Sequence, residues 1–146
     1  MALTIKTEDH TKEVIRTKDE AIAKALEMMG LQAESYTKLN LRAVGAVDTG
    51  LLRNSITHAV SGGPTAISSY SADKPKKGQK SSGSYGGSIG SEREEAVYVG
   101  TNVEYAPYIE YGTSRNKGPR PYLKPAINDH IEEYKRIATQ CLNEIK

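Results

Sequence analysis

Aromatic residues other than tyrosine are missing from this sequence, which has no tryptophan and no phenylalanine but nine tyrosines. Cysteine is nearly absent as well, since Cys141 is the only one. A lone cysteine excludes an internal disulfide and is typical of a reducing compartment. The sequence also lacks the apolar core of a signal peptide and any apolar run that approaches a membrane span. We therefore expect a protein that is made and kept soluble in a cytoplasm and has no membrane partner.

Hydrophobic residues are scarce for a compact monomer, at 37% of 146 residues with a mean hydropathy of −0.57. This length is that of one domain, so residues 1–146 are predicted to form a single unit. The low apolar share indicates either that part of the chain is loop or that other subunits complete its burial. The net charge of +2 is too small to indicate a nucleic-acid-binding protein by itself.

Residues suited to catalysis or metal binding do not cluster in the sequence. The three histidines, His10, His58 and His130, lie in separate predicted elements without ligand-like spacing, so we expect them to be solvated or partly buried. The glycine-rich residues 83–87 lack the strand–helix context of a phosphate-binding loop.

The motif Asp48-Thr49-Gly50 is shared with one class of enzymes, the retroviral-type aspartic proteases. Those enzymes have apolar strands before the motif and a small residue after it. Here a long predicted helix precedes the motif, and Leu51 and Leu52 follow it. Capping of a one-turn helix by Asp48 or Thr49 explains the motif more simply. We therefore predict that the chain is not an enzyme and binds no cofactor and no metal.

Residues 9–42 have the apolar spacing of a long helix. A capping-box spacing at residues 17–20 and Gly30 mark two points where this helix is expected to break or bend. A helix of about 30 residues is roughly 45 Å long, which is more than so small a domain covers, so we expect part of it to pack on a neighbouring subunit. The residues of its apolar face are Ile15, Ile22, Leu26, Met29, Ala33 and Tyr36.

Two predicted strands flank a long insertion. Residues 55–60 alternate as a half-buried strand does, and residues 94–102 form a second strand that is expected to pair with it in the antiparallel sense. Residues 61–91 between them are rich in Ser, Gly and Lys and have few apolar anchors, which predicts a flexible loop or an extended hairpin. Its lysines are either a solvated run or a contact for DNA phosphates; they are Lys74, Lys76, Lys77 and Lys80.

The C-terminal third contains a short helix and then a longer one. Residues 105–112 predict a short helix, with Pro107 in its first turn and Gly112 as its stop. Because proline removes a backbone donor, the regular C-terminal helix is expected to begin near Pro125. Its predicted apolar face comprises Ile127, Ile131, Tyr134, Ala138, Cys141 or Leu142, and Ile145.

Five of the nine tyrosines fall within residues 97–127, beside several charged residues. Tyrosine and arginine are enriched at contact centres, whereas a buried tyrosine hydroxyl needs a partner. We expect a mixed role in which Ile109 and Tyr111 point inward and Tyr105, Tyr108 and Arg120 point outward.

Three blocks of the sequence, residues 47–56, 98–113 and 120–126, occur after a long helix in a characteristic order and spacing. They read VDTGLLRNSI, YVGTNVEYAPYIEYGT and RPYLKPA. Together they resemble the small head–tail joining or tail-completion proteins of long-tailed bacteriophages. The insertion departs from that pattern in length and composition, so its role does not carry over.

The resemblance implies an α+β fold in which the long N-terminal helix and the C-terminal helix pack on a small antiparallel sheet. It also implies a virion protein, assembled in the bacterial cytoplasm, that forms a homo-oligomeric ring with six copies as the expected number. The partners implied are a head connector or stopper protein, a tail tube or tail terminator protein, and the genomic DNA that crosses the lumen.

Ring closure needs two different patches on each subunit. We expect the strip between Tyr105 and Arg120 to meet either the long helix or the turn between Asp48 and Arg53 of the next copy. The competing hypothesis is a nucleic-acid-binding module that uses the lysines of the insertion together with residues 115–120. The predicted interface residues are Asp48, Thr49, Leu51, Arg53, Tyr105, Tyr108, Glu110, Arg115, Arg120 and Tyr122, and the possible DNA or lumen contacts are Lys74, Lys76, Lys77 and Lys80.

Overall fold

The computed structural model describes residues 11–87, 95–115 and 118–144, with only the backbone at 11, 13–15 and 17. Its helices and strands form the α+β fold that the sequence predicts. Predictions for His10, Ile15, Ile145 and the C-terminal end of the insertion, residues 88–91, fall outside the described residues or side chains. The elements in chain order are α1 (Thr11–Ala43), α2 (Leu51–Ser55), β1 (Thr57–Val60), β2 (Ser69–Ser71), β3 (Ser82–Ser84), β4 (Val97–Gly100), α3 (Ala106–Tyr111), α4 (Leu123–Asn128) and α5 (Ile131–Asn143).

Helix α1 runs unbroken for 33 residues, so the break predicted at residues 17–20 is wrong. Gly30 is buried against the sheet, where an added Cβ would lie 2.6 Å from His58 Cδ2 and 2.8 Å from Val97 Cγ2. The glycine therefore allows close approach of the helix to the sheet. The predicted apolar face is confirmed at Leu26 and Ala33, which are buried.

Strands β1 and β4 pair in the antiparallel sense, as predicted, with His58 opposite Val99. The prediction of a half-buried β1 is wrong, because Thr57, His58 and Ala59 are all buried. One face is covered by α1, whose carboxylates reach the His58 ring. On the other side the Thr57 hydroxyl accepts a hydrogen bond from the Ile67 N–H at 3.3 Å, which brings the insertion against the strand.

Of the two forms expected for the insertion, the structure has a hairpin, with β2 and β3 antiparallel and Tyr70 opposite Gly83. Tyr70 is buried, and its hydroxyl donates to Asn102 Oδ1 at 2.5 Å. Gly83 leaves the space that the Tyr70 ring occupies. Ile67 and Tyr85 are half-buried against the same hydrophobic core, so the predicted apolar anchors do hold the hairpin to the domain.

The core beneath α2, α3 and the hairpin joins segments that are far apart in the sequence. Leu41 from the end of α1 and Ile56 are fully buried at its centre. The remaining members of this cluster are Leu51, Leu52, Tyr70, Val103, Ala106 and Tyr122.

The C-terminal segment forms two helices, so the single helix predicted from residue 125 is wrong. Helix α4 begins before Pro125 because the Glu110 carboxylate accepts the first free N–H groups. The proline occupies the first turn, where no backbone donor is needed. The break falls at His130, whose ring stacks on Tyr36 of α1 with centroids 3.5 Å apart. Because the helix is interrupted there, Ile127 and Ile131 remain 42% and 47% exposed and do not join the core.

Helix α5 lies against α1. Cys141 is buried and contacts the Met28 sulfur at 3.5 Å, in agreement with its predicted place in the core. Lys24 of α1 donates to Glu144 at 2.9 Å near the end of α5. No helix in the described ranges is both long and apolar enough to cross a membrane.

Candidate functional site

The principal candidate site is a cleft of about 470 Å³ between the α1–α2 turn, the hairpin and α3. Predicted interface residues from different parts of the chain meet around it, among them Arg53, Tyr105 and Arg120. Lys80 and Gln79 enter from the hairpin. The other lining residues are Gly45, Ala46, Val47, Asp48, Thr49, Gly50, Leu52 and Ile109.

The α1–α2 turn is fastened to the hairpin by two exposed ion pairs. Lys76 Nζ donates to Asp48 Oδ1 at 2.5 Å, and the Arg53 guanidinium donates to the Asp73 carboxylate. Asp48 therefore binds a lysine and does not cap α2, contrary to one of the two expected caps. Thr49 is not the cap either, because Gly50 is the N-cap of α2; the Thr49 hydroxyl, one position earlier, accepts the Leu51 N–H at 3.3 Å.

The opposite wall of the cleft is held by Arg120. Its backbone N–H donates to the Ile109 carbonyl at 2.8 Å, and its guanidinium donates to the Gly45 carbonyl at 3.3 Å. Tyr105 lines the cleft beside it and is 40% exposed. Partial burial raises the pKa of the Tyr105 phenol, with a smaller contribution from the Asp48 carboxylate. The phenol is thus neutral at physiological pH and offers both a donor and an acceptor.

Beyond the cleft, α3 presents what we call the tyrosine edge: Tyr105, Tyr108 and Tyr111. Tyr108 is 62% exposed, as predicted, but Tyr111 is 77% exposed, so its predicted inward orientation is wrong. The residue that packs inward is Ile109, as expected. Pro107 and Gly112 confine α3 to six residues, which is too short a helix to bury both of its sides. Arg115 is exposed just after this edge.

Four predicted interface residues are buried inside the subunit, and of these only Thr49 reaches the cleft. Thr49 and Leu51 are 7% and 2% exposed and pack beneath the turn. Glu110 is 7% exposed because its carboxylate accepts the backbone N–H groups of residues 122, 123 and 124 at 2.8, 3.0 and 3.0 Å. These are free N–H groups at the start of α4, so Glu110 caps that helix.

Tyr122 is the fourth of these residues and belongs to the core. It is 2% exposed, and its hydroxyl donates to the Ala106 carbonyl at 3.2 Å. Burial, with the Glu110 carboxylate nearby, raises the pKa of Tyr122 to about 12. The phenol is therefore a neutral hydrogen-bond donor that joins α4 to α3.

The hairpin lysines are all exposed but differ in their contacts. Lys76 is neutralised by Asp48, Lys80 faces the cleft, and the backbone N–H of Lys74 donates to the Thr49 carbonyl at 3.1 Å. Lys77 is exposed near the hairpin tip. The predicted run of four positive charges is therefore reduced to three that remain for a partner.

The turn and the strip that were expected to meet between neighbouring subunits line one cleft of the same subunit. Arg120 contacts Gly45 at the start of the turn, and Tyr105 shares the cleft with Asp48 and Arg53.

Sequence reasoning missed a buried ionic cluster under α1. His58 is 1% exposed, and its Nδ1 and Nε2 lie 2.7 Å from carboxylate oxygens of Glu34 and Glu27 respectively. Ionised carboxylates only accept hydrogen bonds, so both ring nitrogens donate and the ring is an imidazolium. Burial lowers the pKa of His58, but the hydrogen bonds and charges of the two glutamates outweigh burial and raise it above 6.5.

A sequence signal for this cluster does exist. Glu27 and Glu34 are seven residues apart and so lie on one side of α1, with Gly30 between them. What the sequence does not contain is the register that places His58 opposite that glycine. The expectation of a solvated or partly buried His58 is therefore wrong. Among the described residues, no group of three or more His, Cys, Asp or Glu side chains is arranged to hold a metal ion.

Comparison of the chain with protein-family models, with curated proteins and with solved structures gives no match.

Proposed function

We propose that this chain is a structural virion protein that forms a ring at the head–tail junction of a long-tailed bacteriophage. In that role it joins the head connector to the tail tube and lines the path of the genome. Its partners are further copies of itself, the connector or stopper on one side, and the tail tube or tail terminator on the other.

The observation that carries the proposal is the convergence of three separate sequence blocks on one surface. Residues 47–53, 105–109 and 120 belong to the blocks that resemble the joining proteins, and all contribute to the same cleft. If these three blocks form one contact surface, a single joining function would require all three of them, although they are far apart in the chain.

The composition of this surface suits protein contact. The tyrosine edge places three phenol rings in solvent, and large exposed aromatic rings supply much of the binding energy at protein interfaces. Exposed charges flank the edge in the chain, with Glu104 before it and Arg115 after it, and Arg120 is half-buried in the neighbouring cleft. Three exposed tyrosines and two arginines on one short span are characteristic of an interface centre.

Replacing Tyr108 and Tyr111 together by alanine tests the proposal. Both rings are mostly exposed, so we expect the fold and its thermal unfolding to be unchanged. In a phage that carries this variant we expect full heads and complete tails that fail to join, counted by electron microscopy. Leu142→Ala, which removes a 41% exposed side chain from α5, is the matched control. Joined, infectious particles from the double variant would contradict the proposal.

The competing function is nucleic-acid binding through the hairpin, and the exposure of Lys74, Lys77 and Lys80 favours it. If these three lysines bind phosphates, the logarithm of the DNA affinity falls with the logarithm of the salt concentration, with a slope of roughly −3. Their replacement by glutamine abolishes that slope. If heads and tails still join in a phage that carries this triple variant, the result favours the ring over nucleic-acid binding.

A further inference from the structure

The cleft holds positive charge that the fold does not neutralise. Its charged lining residues are Asp48, Arg53, Lys80 and Arg120. The Asp48 carboxylate is already bound by Lys76 at 2.5 Å. The Arg53 guanidinium is likewise bound by the Asp73 carboxylate. Because each of these two pairs is neutral, the charge that remains in the cleft is that of Lys80 and Arg120.

Lys80 and Arg120 reach the cleft from different elements. Arg120 is half-buried after α3, and its guanidinium donates to the Gly45 carbonyl at 3.3 Å. A carbonyl is uncharged, so this contact positions the guanidinium without neutralising it and leaves further N–H groups of the fork for a ligand. Lys80 enters from the hairpin, is exposed, and forms no ion pair with any residue that the structure describes. Two uncompensated cations therefore line one cleft.

The carboxylates of α3 and of the segment before it do not neutralise these cations. Glu110 is buried and accepts the N–H groups at the start of α4. Glu104 is exposed and precedes Tyr105, but it does not line the cleft and forms no ion pair with a described residue. Among the described residues, the only carboxylate in the lining is thus that of Asp48, and Lys76 holds it.

Apolar side chains line the cleft beside the cations. Val47 and Ile109 are half-buried against the hydrophobic core, and Leu52 belongs to that core. Tyr105 is 40% exposed, and its neutral phenol offers a further hydrogen-bond donor. The cleft volume of about 470 Å³ lies within the range of ligand pockets, roughly 300–1,000 Å³. Cations next to apolar side chains fit a ligand that carries a carboxylate next to an apolar group.

We infer that this cleft binds an acidic peptide segment of a partner protein. A carboxylate of the segment lies between Arg120 and Lys80, and an adjacent apolar side chain packs on Val47 and Ile109. This inference rests on the proposed contact surface, and it adds the chemistry of the partner that the surface takes.

A peptide fits these features better than a nucleic acid does. A phosphodiester backbone would satisfy the two cations, but it has no apolar group to pack on Val47, Leu52 and Ile109. Arg120 is also half-buried, and a single side chain reaches it more easily than a duplex does. The cleft therefore selects a carboxylate on a narrow chain.

A second copy of this chain is a poorer source of that carboxylate than a different protein. Most of its described carboxylates already have partners within the subunit. On α5, Glu144 is bound by Lys24 at 2.9 Å. Glu132 on the same helix contacts Lys135 at 3.4 Å. We therefore assign the acidic segment to a separate partner.

Two synthetic peptides test the ligand chemistry. The probe is acetyl-Ala-Leu-Glu-Leu-Asp-Ala-amide, and its counterpart carries Gln and Asn in place of Glu and Asp. Each is titrated into the full-length chain while the backbone amide signals are followed by NMR. We expect the acidic peptide to shift the signals of Val47, Tyr105 and Ile109. The neutral counterpart should bind roughly tenfold more weakly, the size of one charge-assisted hydrogen bond.

Substitutions in the chain test the two cations. Arg120→Gln should weaken binding of the acidic peptide roughly tenfold, and Lys80→Gln roughly threefold, the size of one exposed ion pair. The matched control is Lys77→Gln, which removes the same charge from the same hairpin outside the cleft lining and should leave the affinity unchanged. Thermal unfolding checks the fold of Arg120→Gln, because its guanidinium also contacts Gly45. Lys80→Gln removes no such contact and tests the cleft by itself.

Several results would overturn the inference. Equal affinity for the two peptides, or no shift of the cleft amides at millimolar peptide, would exclude a carboxylate site. A loss in Lys77→Gln as large as that in Lys80→Gln would make the effect one of general charge. A single-stranded DNA oligonucleotide that displaces the acidic peptide, and that Arg120→Gln weakens, would assign the cations to phosphates. Self-association of the chain alone that Arg120→Gln abolishes, measured by sedimentation, would make a second copy the occupant in place of a separate partner.

The two proposals fail in different ways. If the acidic peptide does not bind the cleft but Tyr108→Ala with Tyr111→Ala still blocks joining, the cleft is not a carboxylate site and the junction function stands. If the peptide binds as expected but joining is normal in that double variant, the cleft site stands and the junction function does not.

Discussion

Two groups of ionic contacts hold separate parts of this fold, and they differ in how far water reaches them. Under α1, His58 is 1% exposed and lies between Glu27 and Glu34. At the hairpin, the pairs of Asp48 with Lys76 and of Arg53 with Asp73 are largely open to solvent. A buried charge that loses its partner destabilises the fold strongly, whereas exposed pairs contribute little. The first group therefore fixes the fold, and the second fixes the shape of the cleft.

The largest effect is expected from His58→Leu. This change leaves the Glu34 carboxylate, 14% exposed, with Lys38 at 2.8 Å as its remaining ionic partner, at a cost of roughly 2 to 3 kcal/mol in the free energy of unfolding. Urea unfolding followed by circular dichroism measures it. Glu27→Gln is the control, because that side chain is 52% exposed and its loss should cost less than about 1 kcal/mol. An equal loss of unfolding free energy in His58→Leu and Glu27→Gln would contradict the difference expected between buried and exposed charges.

Gly30→Ala is expected to destabilise the protein, although alanine favours helices. The added Cβ would lie 2.6 Å from a His58 ring that two carboxylates hold in place. Overpacking costs about 2 kcal/mol and exceeds the roughly 1 kcal/mol gained in helix propensity. The control is Gly100→Ala, where an added Cβ has nothing within 4 Å. A stabilised Gly30→Ala protein would show that α1 shifts freely on the sheet.

The buried cluster should also make stability depend on pH. The pKa of His58 is raised above its unfolded value of 6.5, so its contribution is fully present below pH 6.5 and is lost as pH rises through the folded pKa. We expect the free energy of unfolding of the wild type to fall on the alkaline side relative to His58→Leu. The loss is smaller than that of the substitution, because a neutral ring keeps one hydrogen bond. If the free energies of unfolding of the wild type and of His58→Leu changed in parallel with pH, the assignment of His58 as an imidazolium would be refuted.

The smallest effect on global stability is expected from Asp73→Asn. The exposed pair with Arg53 contributes at most about 1 kcal/mol, and salt screens it. Amide exchange in β2 and β3 should nevertheless accelerate, since the turn holds the hairpin through this side chain. Lys77→Gln, at the same hairpin but without a role in fastening it, should leave exchange unchanged. Global destabilisation as large as that of His58→Leu would remove the distinction between the two groups.

Part of the candidate site was predicted because short-range features of the sequence determine it. Pro107 and Gly112 set the limits of α3 from the sequence, and Tyr105 and Arg120 do line the cleft. Tyr111 and Glu110 were misplaced for one reason. Whether a side chain on a six-residue helix faces inward depends on what packs against it, and α4 lies where its N–H groups need the Glu110 carboxylate.

By itself the sequence determined the long α1, the pairing of β1 with β4, and the limits of α3, because periodicity, capping and proline act within a few residues. Only the tertiary structure decided that Gly30 receives the His58 ring and that the C-terminal segment breaks at His130 against Tyr36. It also decided that the hairpin closes one side of the cleft through Asp48 and Arg53. These contacts join residues at least 20 positions apart, so they exist only once folding has brought the partners together.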